Sequence, residues 1–224
     1  RRKPWFRPAA RLEKTPGPEI LQPLAWSGDG GLTVVECAPY GVIGAIIPST
    51  NPISTVVCNS ISMVAAGNAV VFNAHPGARG CSNRTVELIN DAIVEAGGPA
   101  HLVCAISEPT IETAQRLMGH AGGNLLVVTG GAAVVQAAMA SGKRAICAGP
   151  GNPPAVVDET ADVDKAARDI VLGASTDNNI ICVDEKEVIV VSSVADQLIG
   201  SLQAQGAVPI DRSRLTALEN LIFA

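Results

Sequence analysis

The stretch Leu125-Leu126-Val127-Val128-Thr129-Gly130-Gly131 reads as an apolar strand that stops at a tight turn, and Ala132–Ser141 behind it reads as a helix. Leu125–Val128 carries no polar residue. A strand with one face in water alternates apolar and polar side chains, whereas a strand covered on both faces need not. Val70-Val71-Phe72, within the strand Ala69–Phe72, has the same character. Outward from these two, strands and helices take turns along the chain. Gly41–Ile47 leads to a helix over Ser54–Gly67, and Ala69–Phe72 leads to one over Ser82–Ala96. Leu102–Ile106 leads to Thr110–Met118, and Arg144–Cys147 follows Ala132–Ser141 as a further strand. In Ser82–Ala96 the apolar residues Val86, Ile89, Ile93 and Ala96 recur at helical spacing, and Gly97-Gly98-Pro99 ends the run. Alternation of this kind builds an α/β fold, a Rossmann-like parallel sheet with helices on both faces.

The flanks read differently. Residues 1–30 are rich in Pro, Gly and charge and form an arm or linker, followed by a β-like run over Leu32–Cys37. Beyond the sheet, Val163, Ala166, Ala167, Ile170, Val171 and Ala174 mark one face of an amphipathic helix. Glu187–Val191 and the helix-like Ala195–Gln203 begin something new. These features predict a dinucleotide-binding domain over 31–178, a boundary near 175–185, and the start of a second α/β domain over 179–224. The chain begins at arginine and stops at an apolar Leu221-Ile222-Phe223-Ala224, so both ends read as cut.

Composition excludes several classes. Net charge is −5 and aromatics are 3%, with no long basic stripe, which argues against nucleic acid as a partner. The cluster of Arg1, Arg2, Lys3, Arg7 and Arg11 around Trp5 and Phe6 reads as a solvated arm. No apolar run approaches the ~20 residues of a membrane helix. Six cysteines without a Cys-x-x-Cys clip read as reduced thiols of a cytosolic protein. Cys37, Cys58, Cys81, Cys104 and Cys147 read as packing. The three histidines, His75, His101 and His120, have no metal-site spacing with these cysteines.

Ligands on parallel sheets bind beyond the carboxyl ends of the strands. That singles out the loops Pro48–Pro52, Asn73–Gly77, Ser107–Pro109, Thr129–Gly131 and Ala148–Pro154. No Gly-x-Gly-x-x-Gly follows the first strand of the sheet. Thr129-Gly130-Gly131 is either a cofactor turn at a helix start or a plain strand-to-helix turn. Asn51 is either an oxyanion donor at a strand end or a helix cap. Cys182 follows the polar run Thr176-Asp177-Asn178-Asn179, as a presented nucleophile would, although a buried thiol fits the local sequence equally.

Taken together, the ordered motifs resemble those of the aldehyde dehydrogenase superfamily, and most closely its CoA-acylating members from bacterial microcompartments. The matching residues are Pro48-Ser49-Thr50-Asn51-Pro52, Ala65-Ala66-Gly67-Asn68-Ala69-Val70-Val71-Phe72, His75-Pro76, Val128-Thr129-Gly130-Gly131, the run from Gly151 to Asp162, and Asp177-Asn178-Asn179-Ile180-Ile181-Cys182. The resemblance implies Cys182 as catalytic thiol and Asn51 as oxyanion asparagine. It implies NAD held by Ile47, Pro48, Ser49, Thr50, Asn73, His75, Pro76, Thr129, Gly130, Gly131, Val134 and Gly149. Within that set Thr129–Gly131 would lie near the pyrophosphate and Asn73 near the adenosine ribose. It further implies a short-chain aldehyde substrate (propionaldehyde or acetaldehyde), coenzyme A as acyl acceptor, a homo-oligomer at full length, and shell or lumen partners in a microcompartment.

Two departures inform that picture. Hydrolytic members carry a water-activating glutamate where Ala148 stands here, so its loss favours transfer to a thiol over release of an acid. Many members carry lysine where Asn73 stands, which bears on the choice between NAD and NADP; NAD is favoured. Pro150 and Thr176 also depart from close relatives, and no functional reason for them is evident. A hydrolytic or phosphorylating relative, and a nucleotide-binding module without turnover, are the alternatives.

Overall fold

The computed structural model describes residues 13–222. They divide into two units, with the division between Pro150 and Gly151. The cationic arm read at the amino terminus lies largely outside the described residues.

The first unit opens with a hairpin. Strands β1 (Leu24–Gly28) and β2 (Gly31–Val35) pair antiparallel, joined by Asp29-Gly30 and registered Leu24↔Val35 to Gly28↔Gly31. The sequence reading left Leu24–Gly28 in the arm. A two-residue Asp-Gly connection returns the chain on itself and recruits that segment as a strand.

The sheet comprises β3 (Val42–Ile47), β4 (Ala69–Ala74), β5 (Val103–Ala105), β6 (Leu125–Thr129) and β7 (Ala145–Ala148). All neighbours are parallel and the order is β5-β4-β3-β6-β7. Chain direction across the sheet reverses between β3 and β6, the doubly wound arrangement whose ligand crevice opens at that reversal. Helices α1 (Pro52–Ala65), α2 (Arg79–Glu95), α3 (Ile111–Gly119) and α4 (Ala132–Met139) make the connections. One core cluster centres on Ile47, Val56, Val70, Phe72 and Val103, and a second on Ile46, Leu126, Val128 and Ala138. Phe72, Leu126 and Val128 are fully buried. Each such side chain contributes about 1.5–3 kcal/mol of burial, which explains why unalternated apolar runs are stable here.

Gly67 and Asn68, part of the motif before β4, have structural work. Gly67 adopts φ +77° and closes α1. Its N–H donates to Val64 and that of Asn68 to Met63, the glycine stop that a side chain would strain. The buried Asn68 amide then accepts from the N–H groups of Tyr40 (2.7 Å) and Gly41 (3.1 Å), joining the helix end to the start of β3.

In the second unit β8 (Pro154–Val157) pairs parallel with β9 (Glu187–Val190), and α5 (Val163–Ser175) packs on α6 (Ser192–Ala204). A terminal helix, α7 (Leu215–Ile222), follows. The core is Val157, Val163, Ala167 and Leu198. The division therefore falls at Pro150/Gly151 and not near 175–185. Residues 154–157 form no strand within the first sheet, because their ladder partner lies about thirty residues later in β9. On the apolar stripe of α5, Val163 and Ala167 are buried, and Ala166 and Ile170 pack against the same core as Leu198 of α6.

Candidate active site

At the carboxyl end of β3 the Ile47 side chain is core, 1% exposed, and its carbonyl accepts the His75 N–H at 3.0 Å. Pro48, Ser49 and Thr50 follow as the loop itself. Asn51 occupies the position before α1, and Pro52 starts that helix without needing an N–H partner. The backbone carbonyl of Asn51 accepts from Thr55 N–H (3.1 Å) and from the Thr55 and Ser54 hydroxyls. Its side chain does not cap the helix. Instead the Thr50 hydroxyl donates to Asn51 Oδ1 at 3.0 Å. That bond orients the amide. Among the described residues no acceptor takes its NH₂ end, which is left to donate to a ligand.

Across the reversal, Thr129 ends β6 and the Gly130 N–H donates to the Ala148 carbonyl at 3.1 Å. A Cβ at Gly130 would strike Val134, so the side chain of Val134 packs back onto the turn and the second core cluster. Gly131 stands at the amino terminus of α4 with no side-chain cap, and a Cβ there would meet nothing. The first-turn N–H groups of α4 thus sit beside an open approach, a setting suited to a phosphate. Gly149 follows β7 and is half-buried.

Beyond β4 the geometry differs from the sequence reading. Asn73 and Ala74 belong to the strand and not to the loop. Asn73 is 3% exposed, and its Oδ1 accepts the Thr113 hydroxyl of α3 at 2.7 Å. Thr113 lines a cavity of about 230 Å³ with Ile106, Arg116, Leu117 and His120. His75 and Pro76 are exposed, and His75 Nδ1 accepts the Gly77 N–H at 3.1 Å, which places the proton of the neutral ring on Nε2.

Cys182 lies in the second unit on a tightly tied loop. Asp177, Asn178 and Asn179 all adopt left-handed φ, 54°, 57° and 60°. Asn and Asp tolerate that region better than other side-chain-bearing residues. The Asn179 amide donates to the carbonyls of Ala174 (2.8 Å) and Glu185 (2.9 Å), pinning both ends of the loop. Residues Ile181 to Asp184 form a turn in which the Asp184 N–H donates to the Ile181 carbonyl at 3.2 Å. The Ile181 N–H in return donates to the buried Asp184 carboxylate at 3.3 Å. The Lys186 ammonium donates to the carbonyls of Ile181 (3.0 Å) and Asp184 (3.1 Å). Cys182 is a free, half-buried thiol at the tip. No acceptor among the described residues takes its N–H. A Cβ on Gly151 would collide with the Cys182 carbonyl, so glycine is required for this approach.

Sequence reasoning missed Thr113, Asn179, Asp184 and Lys186. Only Asn179 carried a signal, as the last polar residue before Cys182. The other cysteines are free too, but Cys37 and Cys81 are exposed and Cys58, Cys104 and Cys147 half-buried. The expectation that they pack inside fails for Cys37 and Cys81. Among the described residues no His, Cys, Asp and Glu group could hold a metal, and no helix is long and apolar enough to cross a membrane.

The model of the aldehyde dehydrogenase family matches residues 6–209. The chain is 53% identical over 215 residues to the acetaldehyde dehydrogenase (acetylating) of Salmonella typhimurium, covering 96% of this chain and 46% of that protein. It resembles the propionaldehyde dehydrogenase of the Clostridium phytofermentans fucose utilisation bacterial microcompartment, with TM-score 0.86 and 49% identity over 95% of this chain and 49% of that one. It also resembles Rhodopseudomonas palustris propionaldehyde dehydrogenase solved with bound CoA and an acylated cysteine, with TM-score 0.85 and 53% identity over 94% of this chain and 48% of that one. The chain spans about half the length of the curated relatives it matches.

Proposed function

Since this chain belongs to the aldehyde dehydrogenase family, we propose that it supplies the cofactor-binding sheet and the nucleophile of a CoA-acylating aldehyde dehydrogenase acting on acetaldehyde or propionaldehyde. The observation that carries the reading is the Cys182 turn: a half-buried thiol on a loop tied at both ends, with an unclaimed N–H beside it. The Cys182 sulfur, as thiolate, attacks the aldehyde carbonyl. The Cys182 N–H donates to the oxyanion that forms, and the Asn51 amide, oriented by Thr50, is the oxyanion asparagine that the family resemblance implies. The residues at the strand reversal suit NAD, because the amino terminus of α4 at Gly131 is uncapped and unobstructed. NAD, when bound, supplies the hydride acceptor. Cys182 then holds the acyl group as a thioester, and Ala148 offers no base to activate water against it. A CoA thiol, intrinsically the better nucleophile, takes the acyl group.

The acylated cysteine of the Rhodopseudomonas relative and the acetylating activity named for the Salmonella relative support this reading. The same proposal includes homo-oligomerisation and residence in a microcompartment, the setting of the Clostridium relative. The test is Cys182→Ala in the full-length protein. It should bind NAD and form no acyl-enzyme, and NADH production at the unmodified rate would refute the assignment.

A further inference from the structure

The peptide bond between Ile181 and Cys182 is held more firmly at its oxygen than its neighbours. Its carbonyl, on Ile181, accepts two donors, the Asp184 N–H at 3.2 Å and the Lys186 ammonium at 3.0 Å. Its N–H, on Cys182, has no acceptor among the described residues. The preceding peptide is also fixed, because the Ile181 N–H donates to the buried Asp184 carboxylate. Lys186 is further anchored by its own N–H, which donates to the Pro153 carbonyl at 3.0 Å, and by its ammonium on the Asp184 carbonyl at 3.1 Å. The described residues form no ion pair with it.

An amide whose oxygen accepts a hydrogen bond becomes a stronger donor at its nitrogen, and a charged donor polarises it more than a neutral one. We propose that Lys186 is a positioning residue for the oxyanion at Cys182, acting through the Ile181–Cys182 peptide. The inference rests on the reading of Cys182 as nucleophile. When the Cys182 sulfur bonds to a carbonyl carbon, the π electron pair of the carbonyl moves onto its oxygen, and nothing is oxidised or reduced in that step. The new negative charge meets the Cys182 N–H. With the Lys186 cation on the far side of the same peptide, that N–H carries more positive charge and its direction is locked. The gain exists only once the oxyanion forms, so it appears in the rate of addition and not in aldehyde binding.

The test compares two reactions of one thiol in the full-length protein. Acyl-enzyme formation from propionaldehyde, with NAD present to take the hydride, passes through an oxyanion. Alkylation by iodoacetamide displaces iodide at a tetrahedral carbon and forms none. Alkylation of the Cys182 peptide is followed by mass spectrometry and compared at the high-pH plateau, where the thiol is fully ionised in every variant. Lys186→Met should slow acyl-enzyme formation about tenfold, leave KM for aldehyde nearly unchanged, and leave plateau alkylation as it was. Lys186→Arg, which keeps a cationic donor, should recover part of the loss. If Lys186→Met does not fold, Lys186→Gln carries the same comparison. Unchanged acyl-enzyme formation, or an equal fall in both reactions, overturns the proposal, the latter because it marks a loop that is merely disordered. Cys182→Ala separates the two levels: acyl-enzyme formed by that variant defeats the nucleophile reading itself, whatever Lys186 does.

Discussion

The backbone and the side chain of Asn51 are engaged separately. Its backbone carbonyl begins α1, while its side-chain Oδ1 accepts the Thr50 hydroxyl and does not cap the helix. Sequence alone left cap and oxyanion donor as alternatives; the side chain makes no capping bond, and the donor role stays part of the proposal. Asn51→Ala should therefore fold normally and lower kcat by about 10²–10³, the usual loss for one oxyanion donor. KM should change much less, and the two constants measured together decide the matter. The five other cysteines behave differently. Alanine at the exposed Cys37 or Cys81 should change stability by no more than about 0.5 kcal/mol in a denaturant titration, the range for surface positions. These two show where composition misleads: cysteine is among the most buried residue types, but exposure depends on which face of an element it occupies.

At the scale of elements, α5 brings the chain to the Cys182 loop, and its start is set by one side chain. Asp162 precedes the helix, and its carboxylate accepts the Lys165 N–H at 3.0 Å. Asp162→Ala should destabilise the helix by about 1 kcal/mol, while Asp162→Asn, which keeps the acceptor, should cost little. Urea unfolding of the two variants makes the comparison. Just upstream, Asp158 opens the turn after β8. Its carboxyl is held below the usual range, first by the Thr160 hydroxyl and then by the Thr160 N–H. A carboxyl depressed in the folded state stabilises above its unfolded pKa, and the benefit is lost as pH falls through the folded one. Asp158 is fully exposed, so solvent keeps the effect small.

At the scale of the molecule, the residues of the proposed chemistry fall on two units. The first presents the strand reversal with Asn51 and Gly131, and the second carries Cys182 on a βαβ segment. The stretch from Ala148, the last residue of β7, to Asn152 contains no carboxylate. Sustained turnover should thus require CoA, with about one NADH released per site in its absence. Ala148→Glu should add CoA-independent acid formation, by about 10²-fold if the carboxylate reaches the water. Free acid and propionyl-CoA, measured separately after mixing protein, NAD and propionaldehyde, give the answer. Rapid steady acid release by the unmodified protein without CoA would instead favour the hydrolytic alternative.

Local patterns settled the α/β class, the sheet strands and helices, and the loop leading to Cys182, because periodicity and Gly/Pro punctuation act over a few residues. Leu125–Val128 was legible as a buried strand for that reason. The strand order, the pairing of β8 with β9, and the burial of Asn73 against Thr113 were not. Each depends on segments about twenty or more residues apart, whose register no local period encodes. The same holds inside the Cys182 loop. Any amide or ammonium there could satisfy several carbonyls, and only the folded backbone decided that Asn179 would join Ala174 to Glu185 and that Lys186 would sit on the Ile181 carbonyl.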